Sequence, residues 1–445
     1  MPLSKLTILQ IGDVHFPEWS DEAAVVDLKL SSFSPTIISN LRTSPLGSVL
    51  SELRRVCQRE HIDAVMTMGD YTSIGATDRI EDAVMVMDGI INDTIGGRDI
   101  PIFGVPGNHD VSKADAVEFG DVGKFKHLVD AFGKYRWRPT PTQSFVRYEV
   151  AGADGASLTA YLLNSSVGSW SKSLYPEGMR SSIFESDASS EPLKLVDEHL
   201  FGDSLPKANS VDTLLTQVYE QLDTPYFRAV DLNDIATQLS EARKATLVVS
   251  HHNLLPQYTP RVSYFGEVLN AGYARQAFLQ SGADVIYLHG HIHDDPIEIV
   301  TSPEPGTGKI FMIAAPALPS GFNKITTFFT ADKRPFLIKV TFFRVDRSGR
   351  VISGNTAMSR LIPLIVRPED LLRKDVHRLW KYITQELPES DRGIFSWDEL
   401  VEHGRHVNVS EAEVEAVVLA LHCAGFIEIH NFSESFESWR VEIRK

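Results

Sequence analysis

Short apolar, β-branched runs recur between Leu6 and Ala314, and most are followed by a polar or amphipathic stretch. They are Leu6–Ile11, Ala64–Met68, Ile102–Val105, Leu158–Leu163, Thr246–Val249, Asp284–Leu288 and Ile310–Ala314. Apolar runs of this length, bounded by turn signals, read as buried strands. Between the first two, Val49–Glu60 sets Val49, Leu50, Leu53, Val56 and Cys57 at helical spacing. Strands separated by helices predict a layered α/β domain. Further on, Phe336–Arg344 and Arg350–Ser353 read as an antiparallel hairpin around a turn at Asp346–Gly349.

A chain of 445 residues exceeds one ordinary domain. At roughly 100–200 residues per domain, two or three are expected. Hydrophobic residues at 43% and charged residues at 23% leave material for a sizeable core. The net charge of −16 argues against a general polyanion binder, because nucleic-acid affinity rests mainly on Lys and Arg. Cys57 and Cys423 lie far apart in apolar helical patterns and read as reduced core thiols. The N-terminus enters a strand without a leader pattern, and no stretch approaches the ~18 apolar residues of a membrane span. The expectation is a cytoplasmic protein with no membrane partner.

Two stretches, about 16–45 and 165–235, are rich in Ser, Pro, Asp and Gly and read as insertions, expected to form loops over the active-site face. From residue 367 the texture changes. Asp370–Leu387, Trp397–His403 and Ser410–Ala424 read as helices, and Phe426–Ile429 and Trp439–Ile443 as strands. That order resembles a winged-helix domain. The boundaries expected are 1–360 for the α/β domain and 367–445 for the winged-helix-like one.

Five polar motifs directly follow predicted strands: Asp13-Val-His15, Gly69-Asp70, Gly107-Asn108-His109-Asp110, Ser250-His251-His252-Asn253 and Gly290-His291-Ile292-His293. In an open α/β sheet the loops at the carboxyl ends of strands form the ligand crevice, so five such loops converge. Imidazole with carboxylate and amide oxygen suits borderline to hard divalent metals such as Mn, Fe, Zn, Co or Ni. Asp-x-His alone is common, and Gly-Asp alone marks a turn. Gly-Asn-His-Asp and Gly-His-Ile-His are more informative, and the ordered set makes satisfied surface polars a poor account.

This ordered set resembles the calcineurin-like metallophosphoesterase superfamily over roughly residues 5–350. The resemblance implies a two-sheet β-sandwich flanked by helices and two divalent metal ions, with Mn favoured. By motif position, Asp13, His15 and His293 would hold one metal. Asn108, His251 and His291 would hold the other, with the His291 carbonyl as a further donor, and Asp70 would bridge both. Two cations roughly 3.5–4 Å apart can clamp a phosphoryl group and activate a water between them. His109 is placed to protonate the leaving alkoxide, with Asp110 expected to orient its imidazole. His252 reads as a histidine behind the ligands or facing the substrate, His289 as one in the core or behind the ligands, and Asn164 as a strand-end cap.

Gly69-Asp70-Tyr71-Thr72-Ser73 departs from the protein-phosphatase pattern, and Ser73 stands where purple acid phosphatases carry tyrosine. Gly-Asn-His-Asp is most similar to the phosphodiesterase-like and nuclease branches. The reading is a metal-dependent phosphoesterase acting on a nucleotide or nucleic-acid diester. One alternative is a nuclease working with a partner, and another a ligand-sensing scaffold with a vestigial site. Residues 367–445 carry 10 Lys and Arg against 16 Asp and Glu, and Glu411, Glu413 and Glu415 read as exposed on the helix before the wing. An acidic reading helix is repelled by DNA. The C-terminal domain is therefore expected to bind a protein partner or to dock on its own catalytic half.

Overall fold

The computed structural model describes residues 4–16, 46–72, 77–92, 99–112, 115–116, 119–152, 155–171, 224–242, 244–255, 268–293, 297–329, 333–345, 351–353, 359–364, 374–388, 393–431 and 436–444. Most of both expected insertions, the turn at Asp346–Gly349 and the start of the helix expected from Asp370 lie outside these residues.

In chain order the strands are β1 (Ser4–Ile11), β2 (Ala64–Thr67), β3 (Ile102–Gly104), β4 (Val146–Ala151), β5 (Ser157–Leu162), β6 (Thr246–Val249), β7 (Val285–His289), β8 (Ile297–Thr301), β9 (Lys309–Ala314), β10 (Gly321–Phe329), β11 (Pro335–Val345), β12 (Val351–Ser353), β13 (Ser359–Pro363), β14 (Ile394–Ser396), β15 (Ile427–His430) and β16 (Arg440–Ile443). The α-helices are α1 (Leu46–Arg59), α2 (Ile80–Asn92), α3 (Lys126–Lys134), α4 (Ala229–Ala242), α5 (Ala271–Gln280), α6 (Lys374–Lys381), α7 (Trp397–His406) and α8 (Glu411–Cys423). They build two large sheets flanked by helices, with orders β12-β11-β10-β1-β2-β3, where β13 also pairs with β11, and β4-β5-β6-β7-β9-β8.

In the second sheet β5, β6, β7 and β9 run parallel, and β8 closes the edge antiparallel to β9. Every residue of β2, β6 and β7 is buried. Parallel strands covered on both faces read as continuous apolar runs, which is why these segments show no alternation. Leu232, Ile235 and Leu239 of α4 and Ala274 and Phe278 of α5 pack on Tyr161, Val248, Val285 and Tyr287 of the strands. The expected hairpin is β11 with β12, in the register Phe343↔Ser353.

By internal contacts the chain forms two compact units. One comprises Gln10–Glu149 and Thr159–Phe322, and it holds all five polar motifs. The other comprises Met1–Leu9, Val150–Leu158 and Asn323–Lys445. Within the latter, β14-β16-β15 form a small antiparallel sheet beside α7 and α8. Leu379, Ile383, Trp397, Leu400, Val414, Val418, Ile427, Trp439 and Val441 form its core, joined by Leu337 of β11. The first helix passes from α6 into a π-helical turn at Tyr382–Glu386. Short β14, ahead of α7, has no counterpart in the sequence reading. Both α7 and α8 start with a capping box, Ser396 with Glu399 and Ser410 with Glu413.

One expectation is corrected here. Glu411 and Glu413 are exposed, but Glu415 is buried. Helical spacing sets it on the same face as buried Val418 and Leu419, three and four residues on.

Leu288 is fully buried in β7, the strand that delivers the Gly-His-Ile-His loop. Leu288→Ala should lower the unfolding free energy by about 2–5 kcal/mol, read from urea denaturation.

Candidate metal centre

The five motifs leave the carboxyl ends of β1, β2, β3, β6 and β7, and main-chain bonds tie their loops together. Val14 and His15 donate N–H to the Asp70 carbonyl at 3.0 and 2.9 Å, and Gly290 donates to the His251 carbonyl at 3.0 Å. Glycine is required where loops touch side chains. A Cβ on Gly107 would stand 2.0 Å from Asp70 Oδ1, and one on Gly290 would stand 2.4 Å from Asp13 Oδ1.

Two groups of donor atoms result. In the first, His293 Nε2 lies 2.7 Å from Asp13 Oδ2 and 3.0 Å from His15 Nε2, with His15 Nε2 3.8 Å from Asp13 Oδ2. In the second, His251 Nε2 lies 3.3 Å from Asp70 Oδ2, 3.0 Å from Asn108 Oδ1 and 3.2 Å from His291 Nδ1. Asp13, Asp70 and His251 also offer donor atoms within 4.8 Å of one another, which links the groups. The second oxygens are held by backbone: Asp13 Oδ1 accepts the His291 N–H at 3.1 Å, and Asp70 Oδ1 accepts the His109 N–H at 2.9 Å. His251 Nδ1 donates to the Met68 carbonyl at 2.6 Å, so the lone pair of the neutral ring falls on Nε2, inside the cluster.

The electrostatics suit cations. Asp13 and Asp70 are both buried, at 1% and 2% exposure. Burial opposes the charge at Asp70, yet His251, His109 and His15 hold its carboxyl well below the usual range. Burial likewise disfavours an imidazolium at His251, but Asp70 and Asp13 overcome it and push that ring up to about 10. His291 is half-buried, and desolvation together with the charge of His251 pushes its ring down to about 3. Imidazole nitrogens facing each other at 3.0 Å, as in His15 and His293, cannot both present lone pairs unless a proton or a cation lies between them. The donor set therefore fits divalent metals, which compete with protons for such ligands.

Four of these residues have left-handed backbone: His15 (φ 49°), Asp70 (51°), His291 (65°) and His293 (55°). Non-glycine residues held there cost of order 1–3 kcal/mol each and cluster at functional sites. The motifs give no sequence signal for it.

The structure brings together Asp13, His15, Asp70, Asn108, His251, His291 and His293, with His109 at the rim, its ring Nε2 3.9 Å from Asp70 Oδ2 and its side chain 29% exposed. Asp110 is a correction. Its carboxylate is fully buried and turns to the backbone: Oδ2 accepts the N–H of Asp70 and Gly107, and Oδ1 that of Tyr71, each at 2.8 Å. Orphan N–H groups in the two glycine turns capture it before the His109 imidazole can, so Asp110 positions two loops. Asn164 caps locally, accepting the Ser166 N–H and donating to the Thr142 carbonyl, and His289 is a core residue. Buried Ser165, bonded to His252 at 2.8 Å, was not singled out, since an isolated serine carries no motif signal.

The family model for calcineurin-like phosphoesterases matches residues 6–295, and this chain belongs to that family. It is therefore a hydrolase of the phosphoester class. Similar solved structures include a dimetal phosphatase of Danio rerio, 14% identical with a TM-score of 0.43, covering 78% of this chain and 98% of that one. The NAD nucleotidase of Haemophilus influenzae is 10% identical with a TM-score of 0.38, covering 80% of this chain and 61% of the nucleotidase. A calcineurin-like phosphoesterase of Bacillus subtilis is 11% identical with a TM-score of 0.33, covering 83% and 92%. None of the curated proteins compared with this chain matches it.

Asp110→Asn replaces an acceptor oxygen with an NH2 group facing backbone N–H donors. The unfolding free energy should fall by about 1–3 kcal/mol, measured by thermal or urea denaturation. A residue that merely oriented His109 would leave stability unchanged.

Proposed function

We propose that this protein hydrolyses a phosphodiester of a nucleotide or nucleic acid with two divalent cations, Mn favoured. Asp13, His15 and His293 hold one cation, Asn108, His251 and His291 hold the other, and Asp70 serves both. The observation that carries the reading is the convergence of two donor groups on buried carboxylates, where ring nitrogens of paired imidazoles face each other at 3.0 and 3.2 Å. Bound cations supply positive charge for the phosphoryl oxygens and a nucleophile from water near neutral pH. The chain's own groups do the rest. Asp70 is fixed by the His109 N–H, His251 by Met68, and His109 at the rim gives its ring proton to the leaving alkoxide. The diester preference rests on the Gly-Asn-His-Asp motif.

The C-terminal order of helix, strand, two helices and two strands supports a winged-helix-like module within residues 367–445. Its acidity favours a protein partner or intramolecular docking over DNA.

Elemental analysis after Mn²⁺ loading should give about two metals per chain, in line with a two-metal site, and Asp70→Asn should be the most damaging ligand change. Protein stripped by chelator that kept full turnover would overturn the metal dependence. A screen of mono- and diesters, cyclic nucleotides, dinucleotides and short oligonucleotides identifies the ester.

His109→Ala should leave metal content unchanged and slow turnover on an alkyl ester by roughly 10²–10⁴-fold. The defect should shrink on a nitrophenyl ester, whose leaving group needs little protonation. Equal defects on both esters would remove His109 from the role of acid.

A further inference from the structure

His252 is fully buried beside two of the rings already assigned to the second cation. Its ring centroid lies 4.3 Å from that of His291 and 4.6 Å from that of His251, and one nitrogen of each ring falls within 4.8 Å of the others. Almost everything else about His252 is tied down. Its N–H donates to Ser165 Oγ at 3.2 Å, its carbonyl accepts the Tyr287 hydroxyl at 2.7 Å, and ring Nδ1 lies 2.8 Å from Ser165 Oγ. Only Nε2 remains, buried and without a hydrogen-bond partner among the described residues.

The Ser165 anchor is itself rigid. Its carbonyl accepts the Tyr226 N–H at 2.8 Å. Downstream, the ammonium of fully buried Lys124 donates to the carbonyls of Val167 and Ser169 at 2.6 and 2.8 Å. One ring nitrogen gripped by a fixed partner, with the other buried on a ring packed against two donor imidazoles, is the arrangement of a metal-ligating histidine. His289 also buries an Nε2 without a partner among the described residues, but its ring is in none of the donor groups found among them, whereas that of His252 is.

We propose that His252 is a further nitrogen ligand of the second cation, with Ser165 as the positioning residue that fixes its tautomer; this rests on the dinuclear reading above. Ser165 Oγ accepts both the backbone N–H and Nδ1–H of His252, which leaves the Nε2 lone pair free. The opposite assignment, with the hydroxyl donating to Nδ1, would put a hydrogen on Nε2 and bar it from a cation.

The test is long-range 1H–15N spectroscopy of the full chain, 15N-labelled at histidine and loaded with diamagnetic Zn²⁺, with His252→Gln to assign the resonances. The expected result is a protonated Nδ1 and a metal-shifted Nε2 at His252, lost on chelation. Zinc shifts at His251 and His291 with a protonated Nε2 at His252 would overturn the proposal alone. No zinc shift at any of the three rings would overturn the dinuclear reading with it. In the same chain Ser165→Ala should weaken Zn²⁺ binding by roughly 10–100-fold in competition with a chromophoric chelator. Ser165→Thr, which keeps the hydroxyl, should restore it, and equal affinity in all three proteins would count against the proposal.

Discussion

The burial of Asp13 and Asp70 is the constraint on which the rest of the site depends. A carboxylate taken out of water is tolerated only with paired charge or several hydrogen bonds. Here each spends one oxygen on a backbone N–H of another motif loop, His291 for Asp13 and His109 for Asp70. The other oxygen faces imidazoles. These carboxylates thus bind loops together and set the negative potential that draws protons or cations into the cluster. Burial disfavours an imidazolium at His251, yet Asp70 and Asp13 push its ring up to about 10, the direction such a potential produces.

The loops hold such geometry because backbone donors and acceptors are used up within them. Asp110 takes three N–H groups from the turns after β2 and β3, and the Asp70 carbonyl takes two from the turn after β1. Those bonds offset the left-handed conformations at His15 and Asp70. The strain has a geometric use, since it turns side chains of neighbouring residues towards one point.

Much of this was legible in the sequence because both signals are local. Apolar runs such as Thr246–Val249 and Asp284–Leu288 mark strands buried on both faces, and a polar motif at the end of each marks its carboxyl terminus. Strands such as β4, β8 and β13 have no counterpart in the sequence reading, since their burial is intermittent. The Asp110 orientation escaped because one donor it meets lies in a glycine turn forty residues upstream. Ser165 escaped because its partner lies eighty-seven residues on. Glu415 shows the limit of charge as a guide to exposure, because helical phase outweighed polarity there.

The charge of the chain bears on how such a site is used. A net charge of −16 and two buried carboxylates repel a phosphoester anion, so electrostatics alone would keep the substrate out. Cations reverse the sign locally while the remaining surface stays acidic. Attraction is then confined to the cluster, and a long polyanion gains little along the rest of the protein. On the proposed reading, selection among esters would rest on contacts close to the rim, where His109 sits, and a small diester or a chain end would suit the site better than the interior of a duplex.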